Sequence, residues 1–148
     1  MSLGAQLEAD LVAAMKDRDV LKVSCLRMLK SAAGYYKIER KKEVLEDQDL
    51  IELLQKQVKQ RKESFESYEK AGRKDLSEKE ARELVILQAY LPKEMSDEEL
   101  TALAREVIGR TGAKAKADLG RVMKDLVPLL KGRADGKRAS AAAASLLV

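Results

Sequence analysis

The stretch from Asp49 to Gly72, DLIELLQKQVKQRKESFESYEKAG, decides the fold class. It holds no proline and only two β-branched residues, Ile51 and Val58, and its seam Ile51, Leu54, Val58, Arg61, Phe65 and Tyr68 is spaced 3, 4, 3, 4, 3. That is the rhythm of one face of a long α-helix, with an arginine where an apolar residue belongs. A cation on such a seam needs a carboxylate beside it, so the bland reading of Arg61 is an ion-pair partner. Gly72 closes the helix at a left-handed C-terminal position.

The same periodicity extends in both directions. Leu3, Leu7, Leu11 and Met15 predict a helix over 3–16. A second follows Asp17 or Asp19, with Leu21, Cys25, Met28, Leu29, Ala32 and Tyr36 inward. The polar stretch 39–48 carries the turn into the quoted helix. Ser77 with Glu80 reads as a capping box opening a fourth helix, which Pro92 stops. Ser96 and Glu99 open a fifth helix, a sixth starts near Asp118, and an alanine-rich last helix reaches Leu146 and Leu147. Pro128 lies late in the sixth and removes the bond to the Lys124 carbonyl.

Composition agrees. Charged residues make up 36% of the 148, aromatics 3%, and Val, Ile and Thr together number sixteen, too few for a strand-rich protein. The fold class is therefore all-α. All five aromatics precede Pro92, whereas five of eight glycines follow it. The organisation expected is a four-helix bundle over 1–92 and a small three-helix domain over 96–148.

Absent residues exclude much chemistry. With no histidine there is no imidazole base, no histidine metal ligand and no Ser-His-Asp or Cys-His site. The single Cys25 cannot form an internal disulfide or a multi-cysteine zinc site, and its place on an apolar face makes it a core residue. No phosphate-binding glycine loop or nucleophile elbow occurs, and nothing identifies a catalytic residue, a metal or a cofactor. The first ten residues carry acids where a signal peptide needs an apolar run, and the longest charge-free stretch, 139–148, is too short to span a bilayer. A soluble, cytoplasmic protein with no membrane partner is expected.

Charge is concentrated late in the chain. Residues 110–148 hold nine basic side chains against three acidic ones. Lys114 and Lys116 precede the sixth helix, Arg121 and Lys124 lie on its polar face, and Lys131 and Arg133 follow it. Such a patch can hold phosphates; its bland reading is a solvated surface. With no aromatic after Pro92 to stack on bases, a nucleic-acid partner would be a folded RNA or a duplex backbone read by shape. A second surface, around Lys59, Arg61 and Tyr68 on the bundle, suits a protein–protein adaptor.

Six short segments, in order and at consistent spacing, carry a resemblance. They are Arg27-Met28-Leu29-Lys30; Val58-Lys59-Gln60-Arg61-Lys62-Glu63-Ser64; Tyr68-Glu69-Lys70-Ala71-Gly72-Arg73; Leu87 with Tyr90-Leu91-Pro92; Lys116-Ala117-Asp118-Leu119-Gly120-Arg121-Val122-Met123; and Lys131-Gly132-Arg133-Ala134-Asp135-Gly136. Together they resemble the YqeY family, free-standing relatives of the C-terminal tail of GatB, the tRNA-binding subunit of the glutamine-dependent aspartyl/glutamyl-tRNA amidotransferase. The resemblance spans nearly the whole chain. It implies a bundle followed by a three-helix domain that contacts tRNA near its elbow, with no DNA partner. It carries Lys116, Gly120, Arg121, Lys131, Gly132, Arg133, Asp135 and Gly136 over as RNA-binding positions. Lys124 departs from the pattern, standing where the family often has a small residue.

The chain matches only the GatB tail, so the large portion that activates the tRNA-linked carboxylate has no counterpart. The resemblance therefore implies a non-catalytic tRNA-binding protein, accessory to tRNA-dependent amidation. Two other readings stand beside it: an amidotransferase component, a carbon–nitrogen ligase using glutamine, active only among partner subunits; and the adaptor.

Overall fold

The computed structural model describes residues 1–148. It contains seven α-helices, one 3-10 turn and no strands, and divides into two compact units, Met1–Leu91 and Pro92–Val148.

The first unit holds α1 (Leu3–Lys16), α2 (Val20–Arg40), α3 (Asp47–Lys70) and α4 (Lys74–Gln88). Its helices start where short polar side chains can satisfy free backbone donors. Ser2 Oγ accepts from the Ala5 N–H and Asp19 Oδ1 from the Lys22 N–H. Asp49 Oδ2 accepts from the Glu46 N–H at 2.9 Å, while Asp47 Oδ1 takes the Leu3 N–H at 3.0 Å and joins the first turns of α1 and α3. Gly72, at φ 72°, makes the left-handed turn that ends α3. The chain then doubles back into α4, the most extensive helix pairing in the unit. Cys25, Leu29, Leu50, Leu53, Leu54, Val58 and Leu87 form the core.

Three sequence expectations shift. The Ser77–Glu80 pair does not open α4, which begins three residues earlier at Lys74. The turn at Gly72 is tight enough for helix to resume at once, and Ser77 is buried in its second turn, donating to Glu69 Oε1 at 2.8 Å. Met15 and Met28, expected inward, are half exposed. The α3 seam is wider than its heptad spacing: Leu50 and Leu53 are buried, whereas Ile51 is only partly so.

The second unit holds α5 (Asp97–Thr111), a 3-10 turn (Lys116–Asp118), α6 (Leu119–Leu130) and α7 (Gly136–Leu146). Ser96 caps α5 by accepting from the Glu99 N–H, and Asp135 caps α7 by accepting from the Arg138 N–H at 2.7 Å. α6 runs through Pro128 to Leu130. The core is aliphatic: Leu100, Ala104, Val107, Val122, Leu126, Leu130, Ala139 and Ala143. The two alanines of α7 are fully buried, so that helix lies close against α5 and α6. The chain end is fastened by reciprocal backbone bonds, Lys116 N–H to the Val148 carbonyl and Val148 N–H to the Lys114 carbonyl, each 3.2 Å.

Candidate nucleic-acid interface

α6 sets the geometry of the basic surface. Val122, Leu126 and Leu130 repeat every four residues and are buried, which leaves Arg121 and Lys124, three apart, on the solvent side. Lys114 and Lys116 are exposed ahead of the helix and Lys131 just beyond it. A helix of twelve residues is about 18 Å long, so these cations bracket and line a surface of that length.

The approach to α6 is fixed by Asp118. Its Oδ2 accepts the Lys114 and Ala115 backbone N–H groups at 3.1 and 3.2 Å, and these two bonds hold the carboxyl below its usual pKa range. Arg121 Nη2 stands 3.7 Å from Asp118 Oδ1, a loose surface pairing that leaves the guanidinium more than half exposed. Lys114, Lys116, Lys124 and Lys131 have no ion-pair partner at all.

Two arginines of this region, Arg133 and Arg138, are engaged inside the unit, whereas Lys137 is exposed and unpaired. Arg133 Nε donates to the Lys93 carbonyl at 2.9 Å, and its Nη2 to Glu99 Oε2 at 2.8 Å. Arg138 Nη2 donates to the Met95 carbonyl and to Asp97 Oδ1. Asp135 is occupied as the α7 cap. Arg133 and Asp135, two of the positions the resemblance marks for RNA binding, thus bind the connections of their own unit. Charge counting alone does not distinguish an arginine that bonds a distant carbonyl from one that faces water.

The glycines fall into two kinds. Lys131 and Gly132 are consecutive left-handed residues, φ 49° and 79°, and turn the chain out of α6. Gly120 in the first turn of α6 and Gly136 at the start of α7 have ordinary φ values, are exposed, and a Cβ at either would meet nothing within 4 Å. Packing therefore does not demand glycine at either position. Gly120 leaves bare backbone next to Arg121.

On the bundle, Lys59 is exposed, Tyr68 half-buried, and Arg61 sits between two α4 carboxylates, Glu80 and Glu83. No three carboxylate or thiol side chains meet in a way that could hold a metal ion. No helix is long and apolar enough to cross a membrane.

Comparison with known proteins gives a family. The chain matches the family described as Yqey-like protein over residues 4–147. It is 33% identical over 96 residues to an uncharacterised protein of Schizosaccharomyces pombe, covering 65% of this chain and 77% of that one. It is 30% identical over 132 residues to altered inheritance of mitochondria protein 41, mitochondrial, of Pyrenophora tritici-repentis, covering 87% and 71% respectively. The Eremothecium gossypii protein of the same name is 35% identical over 102 residues, covering 68% of this chain and 56% of its own length. With the six sequence segments falling inside a match of this extent, the chain belongs to the YqeY-like family.

Proposed function

We propose that the protein is a non-catalytic tRNA-binding protein whose second unit holds the RNA backbone, acting as an accessory to tRNA-dependent amidation. The observation that carries this reading is α6 with its surroundings: four unpaired lysines and one loosely paired arginine, exposed along a helix whose other face is fully committed to the core. Ammonium and guanidinium groups in this arrangement suit phosphates, and binding them releases condensed counterions. Lys116, Arg121, Lys124 and Lys131 make the contacts, with Lys114 at the edge. Gly120 lets a phosphate approach the backbone. Arg133, Gly132, Asp135 and Gly136 shape the loop that presents Lys131. The unit has no aromatic side chain, so it reads shape and backbone rather than stacked bases.

The cellular setting we propose is the cytoplasm, one of the compartments that contain tRNA. Two fungal relatives are named as mitochondrial proteins.

The test is binding of the full chain to folded tRNA at several salt concentrations, with duplex DNA as competitor. Salt-sensitive binding that survives the DNA is expected. Arg121→Ala and Lys131→Ala should each weaken it and flatten the salt slope by about one unit per lost phosphate contact, with helicity unchanged. Equal affinity of both variants and the parent would remove the assignment of this face.

A further inference from the structure

The first unit carries an apolar groove that the tRNA reading leaves unused. It is about 910 Å³ in volume and runs along α2, between the α1–α2 turn and the flank of α3. Val20, Ser24, Met28, Ser31 and Tyr35 repeat every three or four residues down one face of α2, a ladder about 22 Å long. Val20 is 79% exposed, Tyr35 75%, and Met28 and Met15 50% each. Large apolar side chains scattered singly on a surface are ordinary; four of them lining one groove are not. Ser24, Ser31 and Ala32 lie between them and leave room for incoming side chains.

The charges of the groove have one sign. Arg18 and Arg27 are its only ionisable linings apart from the Tyr35 phenol, and neither pairs with a carboxylate. Arg61, further along the same side of the bundle, has two. Arg18 is also held at φ 55°, a left-handed conformation that costs a non-glycine residue free energy and that glycine would adopt without strain. Helix α1 ends there, where glycine is the usual choice. An arginine kept at this position puts a free guanidinium at the mouth of the groove.

We propose that this groove docks an amphipathic helix of a partner protein, one with apolar side chains at i, i+4 and i+7 and acidic residues along its flanks. A helix is the fitting class because it brings its own backbone hydrogen bonds. The first unit has no sheet edge to offer an extended strand, and beyond the first turn of α2 the backbone donors along the groove are committed to helix bonds. Methionine side chains adapt to the anchors of such a partner, as Met15 and Met28 can here. The two unpaired arginines supply charge complementarity, which orients the partner and speeds its encounter.

The experiment uses the full chain and two fluorescein-labelled helical peptides of about 16 residues, a length that matches the ladder. Both carry leucine at i, i+4, i+7 and i+11; one has glutamate on its flanks, the other lysine. Anisotropy should show saturable binding of the acidic peptide and at least about tenfold weaker binding of its twin, which corresponds to about 1.4 kcal/mol. Val20→Asp places an acid in the first turn of α2, where the helix accepts it, and Tyr35→Glu changes an exposed position, so neither threatens folding. Each should weaken acidic-peptide binding about tenfold or more. Arg27→Glu should shift preference toward the lysine peptide. Arg18→Gly should raise the melting temperature while weakening the acidic peptide. Absence of saturable binding, equal binding of the two peptides, or indifference to Val20→Asp and Tyr35→Glu would overturn the proposal. So would self-association of the parent chain that Val20→Asp abolishes, because the groove's occupant would then be a second copy. The tRNA reading concerns the other unit and stands or falls separately.

Discussion

Arg61 Nη1 lies 2.7 Å from Glu83 Oε2 and 3.2 Å from Glu80 Oε2, so a single guanidinium on α3 answers two carboxylates on α4. The Glu83 side chain is only 5% exposed. Removing the cation would leave two acids in a poorly solvated place. Arg61→Ala should therefore destabilise the first unit by about 3 kcal/mol, and chemical denaturation measures this. Replacing all three by Met, Leu and Gln of similar volume should recover most of the loss. If Arg61→Ala unfolds at the parental midpoint, the pair is surplus to the helix packing.

Tyr90 donates to Asp10 Oδ2 at 2.6 Å and ties the end of α4 to α1. Burial, then this hydrogen bond, push the phenol well above its ordinary range. Burial, then the Glu83 charge, raise the Cys25 thiol to about 11. For both groups the folded state keeps its proton longer than the unfolded chain does. Their contribution is complete below the unfolded pKa values, near 9 for the thiol and 10 for the phenol. It declines as pH rises beyond them. Stability should fall above about pH 9, and Tyr90→Phe should flatten the upper part of that decline while costing about 1 kcal/mol at neutral pH. Cys25 should react with a disulfide reagent at pH 8 only as fast as the unit opens.

The acid limb has the opposite sign. Asp49 is held below its ordinary value first by the Glu46 N–H and then by Lys42, whose Nζ stands 3.0 Å away. Glu69 is lowered first by the Ser77 hydroxyl and then by Lys74. Stability from these groups is present above their unfolded pKa values, about 4, and is lost as pH falls through the lower folded ones. An acid titration followed by helicity should show this decline, and Asp49→Asn should shrink it. An unchanged acid limb in Asp49→Asn would separate the charge of this residue from the start of α3.

Arg133 and Arg121 should respond differently to the same substitution. Arg133→Ala loses the bonds to the Lys93 carbonyl and Glu99, and should cost the second unit about 1–2 kcal/mol, leaving the salt slope of tRNA binding nearly intact. Gly120→Ala tests the bare backbone from the other side. It should stabilise α6 by about 0.5–1 kcal/mol, since nothing blocks a Cβ there, yet weaken tRNA binding. Stronger or equal binding would show that no phosphate approaches that turn.

The helices themselves are legible because their apolar positions recur at helical spacing and Asp19 and Ser96 mark the starts of α2 and α5; the caps Ser2 and Asp135 emerge only in the structure. The register of α3 and the start of α4 are less so. Leu50, Leu53 and Leu54 together exceed what one heptad seam can accommodate, and only the packing of α4 decides which of them turn inward. Ser77 followed by Glu80 satisfies a local capping rule, but Glu69 and Arg61, eight and nineteen residues away, claim those side chains. The basic face was legible from charge density and from α6 periodicity. The engagement of Arg133 and Arg138 was not, because their partners Lys93, Glu99, Met95 and Asp97 lie about forty residues upstream. The apolar ladder of α2 hid in plain view: Val20, Met28 and Tyr35 satisfy the same periodicity as a core face, and sequence spacing alone does not say which apolar face a bundle covers.

Every tyrosine of the chain, Tyr35, Tyr36, Tyr68 and Tyr90, belongs to Met1–Leu91, and Pro92–Val148 packs its interior with aliphatic side chains and methionine, without an aromatic ring. The two units are therefore optically unequal. Intrinsic fluorescence is blind to the second, whereas far-ultraviolet dichroism records both. Unfolding the intact chain under the two signals at once yields one curve for the bundle and another for the whole. The gap between them gives the cooperativity of the two units without a label, a truncation or a substitution.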